Sequence, residues 1–175
     1  FGHNINQISK ALEISVGSAF KILKELEKDN ILYRKEISNA THYKLKLNNN
    51  EIIKLCELLL LSEKRGLKSY AKIYAEEIQK FEHAELIILF GSVLKGKTFN
   101  DVDALFLTNQ VKKVNSFCIE ISKVRTKPVV PLILKKEDLI NELRNKKEAM
   151  LSIIKEGIII KGEDMFMEVI KNVNP

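Results

Sequence analysis

Residues 84–107 leave this chain the fewest options. An apolar run, Leu86-Ile87-Ile88-Leu89-Phe90, has the length of a strand and stops at Gly91-Ser92. After the eight-residue spacer 93–100 come Asp101-Val102-Asp103 and a second apolar run, Ala104-Leu105-Phe106-Leu107. In a strand, positions i and i+2 face the same way, so Asp101 and Asp103 set two carboxylates side by side. An acid that opens an apolar strand needs water, a metal or a partner. Paired carboxylates are hard oxygen ligands of the kind Mg²⁺ takes, with water and substrate phosphates supplying the rest of its shell. Gly91 lets backbone approach a phosphate closely. Ser92 adds a hydroxyl and, in a turn, N–H groups suited to an anion.

These residues resemble the signature of the nucleotidyltransferase superfamily that includes DNA polymerase beta, most closely its minimal nucleotidyltransferase branch. That signature is an apolar strand, Gly-Ser, a spacer, then Asp-x-Asp in an apolar strand. The resemblance implies Mg²⁺ as cofactor and a nucleoside triphosphate as ligand. It also implies transfer of a nucleoside monophosphate to an acceptor hydroxyl. On that reading Asp101 and Asp103 are the metal-binding, catalytic pair, and Gly91 and Ser92 contact phosphate. Lys95 and Lys97 in the spacer can meet phosphate charge or stand as exposed loop lysines. The spacer is shorter than is usual in the family. The family's third carboxylate, borne on a later strand, has no counterpart in the apolar run 129–134, and Glu137 and Asp138 just beyond are the nearest acids. The run 154–164, with Lys155-Glu156-Gly157-Ile158-Ile159-Ile160, also resembles the C-terminal end of that branch.

The N-terminal part reads differently. Ile5, Ile8 and Leu12 recur at helical spacing over residues 5–13. Ser15 is a good N-cap for a second helix over 16–29 with Ala19, Ile22, Leu23 and Leu26 inward, and Asn30 can end it in a left-handed conformation. Residues 31–37 and 41–47 read as strands around a turn at 38–40. Helix, tight turn, helix and hairpin, with Leu26-Glu27-Lys28-Asp29-Asn30-Ile31-Leu32 between, resemble a winged helix-turn-helix of the bacterial and archaeal regulator type. That resemblance implies double-stranded DNA as partner. Ser18, Phe20, Lys21 and Lys24 would face the major groove, with Arg34, Lys35 and Lys44 on the backbone from the wing. Residues 1–47 carry eight Lys/Arg and five Asp/Glu, which is mildly basic, so the pattern and not the charge supports this reading. A winged helix used for protein contact, with Phe20 in the partner surface, is the alternative.

Residues 48–66 read as a helical linker. Ile52 to Leu61 is too apolar for one amphipathic face, so both domains or a second copy must cover it, and a homodimer is expected. Beyond it, strands at 85–90, 102–108, 129–134 and 157–160 alternate with helices at 68–82, 111–124, 136–154 (continuous or interrupted) and 164–173, which argues a small α/β layer. Pro131 favours an edge strand. The expected architecture is therefore α+β or α/β, with a winged helix-turn-helix over 1–47, a linker over 48–66 and a nucleotidyltransferase-like mixed sheet over 67–175.

Composition fits such an architecture. Apolar residues make up 45% and charged residues 30% of 175, enough to fold one ordinary domain or two small ones. The net charge of +6 permits an anionic partner. No apolar stretch reaches spanning length, so no membrane partner is expected. Cys56 and Cys118 have no metal-ligand spacing and read as buried thiols of a reducing, cytoplasmic protein. His3, His42 and His83 are scattered. The chain opens at Phe1 without Met, and upstream sequence is expected. Two functions stay open: a DNA-binding nucleotidyltransferase, or a transcriptional regulator whose nucleotidyltransferase-like domain senses nucleotide or serves assembly without turnover.

Overall fold

The computed structural model describes residues 2–96 and 98–173. It is a mixed α+β chain with two small sheets. The chain divides into two compact units, Phe1–Leu55 and Cys56–Pro175. No helix among the described residues is long and apolar enough to cross a membrane.

The first unit begins with a two-residue strand, β1 (His3–Asn4), and two helices, α1 (Ile5–Ala11) and α2 (Val16–Lys28). Asn4 and Gln7 close a capping box at the start of α1, each side chain accepting the other's backbone N–H at 2.9 Å. Ser15 caps α2 as its sequence suggests, accepting the Ser18 N–H at 3.0 Å. Ser9, buried, donates to the Ile14 carbonyl at 2.9 Å and fixes the turn between the helices. Asn30 takes φ +60° and ends α2. The chain returns through β2 (Leu32–Ile37) and β3 (Ala40–Leu45), a hairpin with Ile37 opposite Ala40. β1 adds to β3, giving the order β1-β3-β2. Leu23, Leu32 and Tyr43 form the buried core, with Ile5, Ile8, Leu26 and Ile31 against it. Ile22, expected inward, is 45% exposed. α1 and the hairpin cover α2, and its buried stripe is narrow and runs along Ala19 and Leu23.

The helix α3 (Asn50–Arg65) crosses the boundary between the units. The second unit then runs α4 (Ser69–Ile78), β4 (Leu86–Phe90), a 3₁₀ turn (Ser92–Lys95), β5 (Val102–Leu107), α5 (Val111–Val124), β6 (Val129–Leu134), α6 (Lys136–Arg144), α7 (Glu148–Glu156), β7 (Ile158–Lys161) and α8 (Glu163–Val173). The helical stretch expected over 136–154 is interrupted, as its sequence allows, where Lys146 takes φ +52° between α6 and α7. The sheet order is β6-β5-β4-β7, with β5 parallel to β6 and β4 antiparallel to both β5 and β7. Every residue of β4 up to Leu89 is buried. Such a strand is covered on both faces. Ile87, Leu89, Val102, Ala104 and Phe106 pack toward α4 and α5 through Tyr74, Ile78, Val114 and Cys118. The alternate residues Leu86, Ile88, Leu105 and Leu107 face α6, α7 and α8.

β6 is an edge, as Pro131 suggests, and its open side is closed to strand addition. The Leu134 carbonyl accepts from Thr108 N–H and the Pro128 carbonyl from Val102 N–H. Even-numbered groups of β6 therefore point at β5, and odd-numbered ones point outward. Of the outward N–H groups, that of Val129 is taken by Ser122 Oγ at 3.0 Å, and Pro131 has none. The approach to β6 is fixed by Tyr74, 1% exposed, whose hydroxyl donates to the Lys127 carbonyl at 2.8 Å and accepts the Lys127 N–H at 2.9 Å. Tyr74→Phe strands both backbone groups, and the expected loss is about 1–3 kcal/mol, read as a lower urea midpoint with unchanged slope. An unchanged midpoint would show that water replaces the hydroxyl.

Candidate functional site

The site lies at one end of the four-stranded sheet, where β4 runs into the 3₁₀ turn. Phe90, the last residue of β4, is paired with Asp103 of β5. Antiparallel partners share a face, so Asp103 stands beside the point where the chain leaves the sheet. Gly91 follows with φ +82°, a conformation that L side chains rarely hold. A Cβ there would also collide with Asp103 Oδ2. Two constraints thus demand glycine at one position: the turn's backbone and the carboxylate lying against it. No side chain caps the turn that starts at Ser92, and its Leu94 N–H bonds back to the Gly91 carbonyl at 3.3 Å.

Asp101 and Asp103 are both half-buried while Val102 between them is fully buried. Val102 belongs to the core on the α4 and α5 side, so the two acids share the opposite face. Burial raises the Asp103 carboxyl above its ordinary pKa, and the neighbouring Asp101 charge adds to the rise. Of the residues expected at the site, Gly91, Ser92, Asp101 and Asp103 are therefore brought to one strand end. Lys95 ends the 3₁₀ turn with its Nζ 3.4 Å from Glu156 Oε2. Lys97 lies outside the described residues.

Glu156 was not picked out as a site residue. It ends α7, and its neighbour Gly157 is pressed onto β4. A Cβ on Gly157 would stand 2.7 Å from Ile88 Cγ2 and 3.2 Å from the Leu89 carbonyl. Leu89 pairs with Ile158 in the β4–β7 ladder, so the end of α7, and Glu156 with it, lies toward the same end of the sheet as Gly91. The Glu-Gly pair before an apolar strand was the available signal, since a glycine there marks close backbone approach.

Glu137 and Asp138, the nearest acids to the third strand in sequence, are at the wrong end of it. Val130 pairs with Asp103 and Leu134 with Leu107, so both acids lie beyond the far end, roughly 13 Å or more of strand away. The side chain beside Asp103 on β6 is Val130, which is 45% exposed. Among the described residues no group of three His, Cys, Asp or Glu is gathered closely enough to hold a metal. The donor set at this end is two carboxylates with an open flank, which suits an ion that keeps water and phosphate oxygens in its shell.

On the first unit, Phe20 is 51% exposed, and Lys21 and Lys24 are exposed on the same helix. Lys21, Lys24 and Lys28 border a shallow depression of about 520 Å³ with Glu25 and Glu27, a mixed rather than purely basic surface. Ser18 is exposed, but its hydroxyl lies 2.9 Å from that of Ser15 and is engaged in the cap. On the hairpin, Arg34 pairs with Glu36 at 3.3 Å, Lys35 is exposed and Lys44 is half-buried. Cys118 is buried, and burial pushes its thiol up to about 11. Cys56, expected buried, is only partly so.

No protein-family model matches this chain, and no curated protein matches it significantly.

The raised Asp103 pKa sets a pH prediction. A carboxyl whose folded pKa exceeds its unfolded value holds its proton more tightly when folded, so stability falls as pH rises through that window. Asp103→Asn removes this cost. In EDTA at neutral pH its Tm should exceed that of the native chain, and the gap should close in acid below the carboxylate range. Thermal scans at a series of pH values check this, and a variant less stable than the native chain at neutral pH would contradict it.

Proposed function

We propose that the second unit binds a nucleoside triphosphate with Mg²⁺ at Gly91, Ser92, Asp101 and Asp103, as the resemblance to minimal nucleotidyltransferases implies, and that the first unit binds double-stranded DNA as a winged helix-turn-helix. The observation that carries the first half is the packing of Asp103 against Gly91. A half-buried acid in that place is costly without a cation. The turn beside it offers what a phosphate takes: a glycine that keeps Cβ atoms away, a serine hydroxyl and uncapped backbone N–H groups. Asp101 and Asp103 would hold the metal ion, and its charge would offset that of the nucleotide's phosphates. The chain's own part is to hold Asp101 and Asp103 on one rigid strand and to aim the turn at the same point.

Val130 favours nucleotide binding without rapid turnover. The resemblance calls for a third acid on the later strand, one that takes the acceptor hydroxyl's proton. Beside Asp103 that strand presents a valine, which can accept none. The preferred reading is thus a DNA-binding regulator whose nucleotide site acts in sensing or assembly, with nucleotidyl transfer as the alternative. Titration of the protein with MgATP should show binding, weakened at least about tenfold in Asp103→Asn, in line with what loss of a metal-shell group costs. Incubation with α-labelled ATP separates the two readings. Label transfer that depends on Asp101 and Asp103 would establish the enzyme despite Val130.

For the first unit, support comes from the exposed α2 face with Phe20, Lys21 and Lys24, and from the hairpin with Arg34, Lys35 and Lys44. Groove contact through α2 would place these residues against bases and phosphates. Lys21→Ala combined with Lys24→Ala should weaken duplex binding and reduce the slope of log affinity against log salt by about 2. Unchanged affinity and slope would remove α2 from the DNA interface. A homodimer would cover Leu55, Leu58 and Leu59, which are exposed on α3.

A further inference from the structure

The pair Lys95–Glu156 is a poor stabiliser in a conspicuous place. Its side chains are 65% and 55% exposed, at 3.4 Å, and exposed pairs of this kind contribute little to folding. Yet both partners are held by features that are not casual. Lys95 closes the 3₁₀ turn that opens at Ser92, directly before Gly96 in the left-handed region. Glu156 is set by Gly157, whose hydrogen lies where a methyl would strike Ile88 and Leu89. The two acids flank the end of β4. On its β5 side stands Asp103, paired with Phe90; on its β7 side, where α7 ends before Ile158, stands Glu156. Ile88, whose Cγ2 faces Gly157, is on the same sheet face as Phe90 and hence as Asp103. The turn is therefore bracketed by acids, with one lysine tied to the outer one.

We propose that Glu156 is a positioning residue for Lys95. It holds the ammonium at the β7 side of the turn while the site is empty and yields it to the β- and γ-phosphates of a bound nucleoside triphosphate. The chemistry is competition between two anions for one flexible cation. A carboxylate in an exposed pair is a weak rival, and a polyphosphate with several negative oxygens outbids it. The device selects for ligands long enough to reach Lys95. A monophosphate occupying Gly91 and Ser92 leaves the pair intact.

This inference rests on the nucleotide reading of the Gly91–Asp103 site. Its test uses the whole chain and two probes, ATP and AMP, each with Mg²⁺, in calorimetric titrations of the native protein, Glu156→Gln, Lys95→Ala, the double variant and Asp103→Asn. Glu156→Gln frees Lys95 and removes the rival charge, so it should bind ATP about two- to fivefold more tightly, the range an exposed pair commands, with AMP affinity unchanged. Lys95→Ala should weaken ATP and not AMP, and the double variant should match Lys95→Ala. A Glu156→Gln variant that binds ATP no better than the native chain, or gains equally for AMP, overturns the inference. If Asp103→Asn still abolishes ATP binding in that case, the nucleotide reading stands without it. Absence of ATP binding by every variant removes both.

Discussion

The contact between the Asp103 carboxylate and the α-carbon of Gly91 is the constraint on which the second unit's site depends. It exists because β4 and β5 pair antiparallel with Phe90 opposite Asp103. A shift of one residue would turn Asp103 toward the core built from Val102, Ala104 and Phe106, where no group could satisfy it. The apolar alternation that buries β4 and β5 on both faces thus fixes the acid's position, and its carboxylate fills the space that a Cβ at 91 would take. The fold's strongest element, its central strand pair, and its most demanding functional contact share one register.

Electrostatics then set the character of this strand end. Burial and the neighbouring Asp101 both oppose ionisation of Asp103, a cost that a proton or an opposite charge relieves. Natural proteins keep such costs where function uses them. The ion pair beyond the turn, Lys95 with Glu156, is mild by comparison and solvent-screened. The gradient runs from a tightly held carboxylate at Gly91 to a loose lysine at the outer rim.

Much of this was legible in the sequence because it is local. The strand 86–90, the glycine-serine stop and the alternating acids declare themselves by period and by turn chemistry. So do the Ser15 cap, the left-handed Asn30 and the edge-strand Pro131. What escaped is non-local. Nothing near Glu156 in sequence says that it meets Lys95 sixty-one positions earlier, because only the β4–β7 pairing joins them. The polarity of β6 likewise decides whether the acids after it serve the site. A parallel β5–β6 pair carries Glu137 and Asp138 away from Asp103 and leaves Val130 beside it. Ile22 was misplaced for a simpler reason: helical spacing gives a face, while the width of the buried stripe depends on what packs against it.

The closed outer side of β6 sharpens where this unit can meet anything. An edge strand as apolar as Val129–Leu134 would ordinarily invite another strand. Here Ser122 occupies one outward N–H and Pro131 deletes another, which leaves Ile133 as the sole outward donor along the strand. Strand addition needs a run of donors and acceptors at alternate positions, and this side cannot offer one. The helices α4 to α8 cover both faces of the sheet. With the faces packed and that edge blunted, the strand end at Gly91 is a place where open backbone, ionisable groups and solvent coincide.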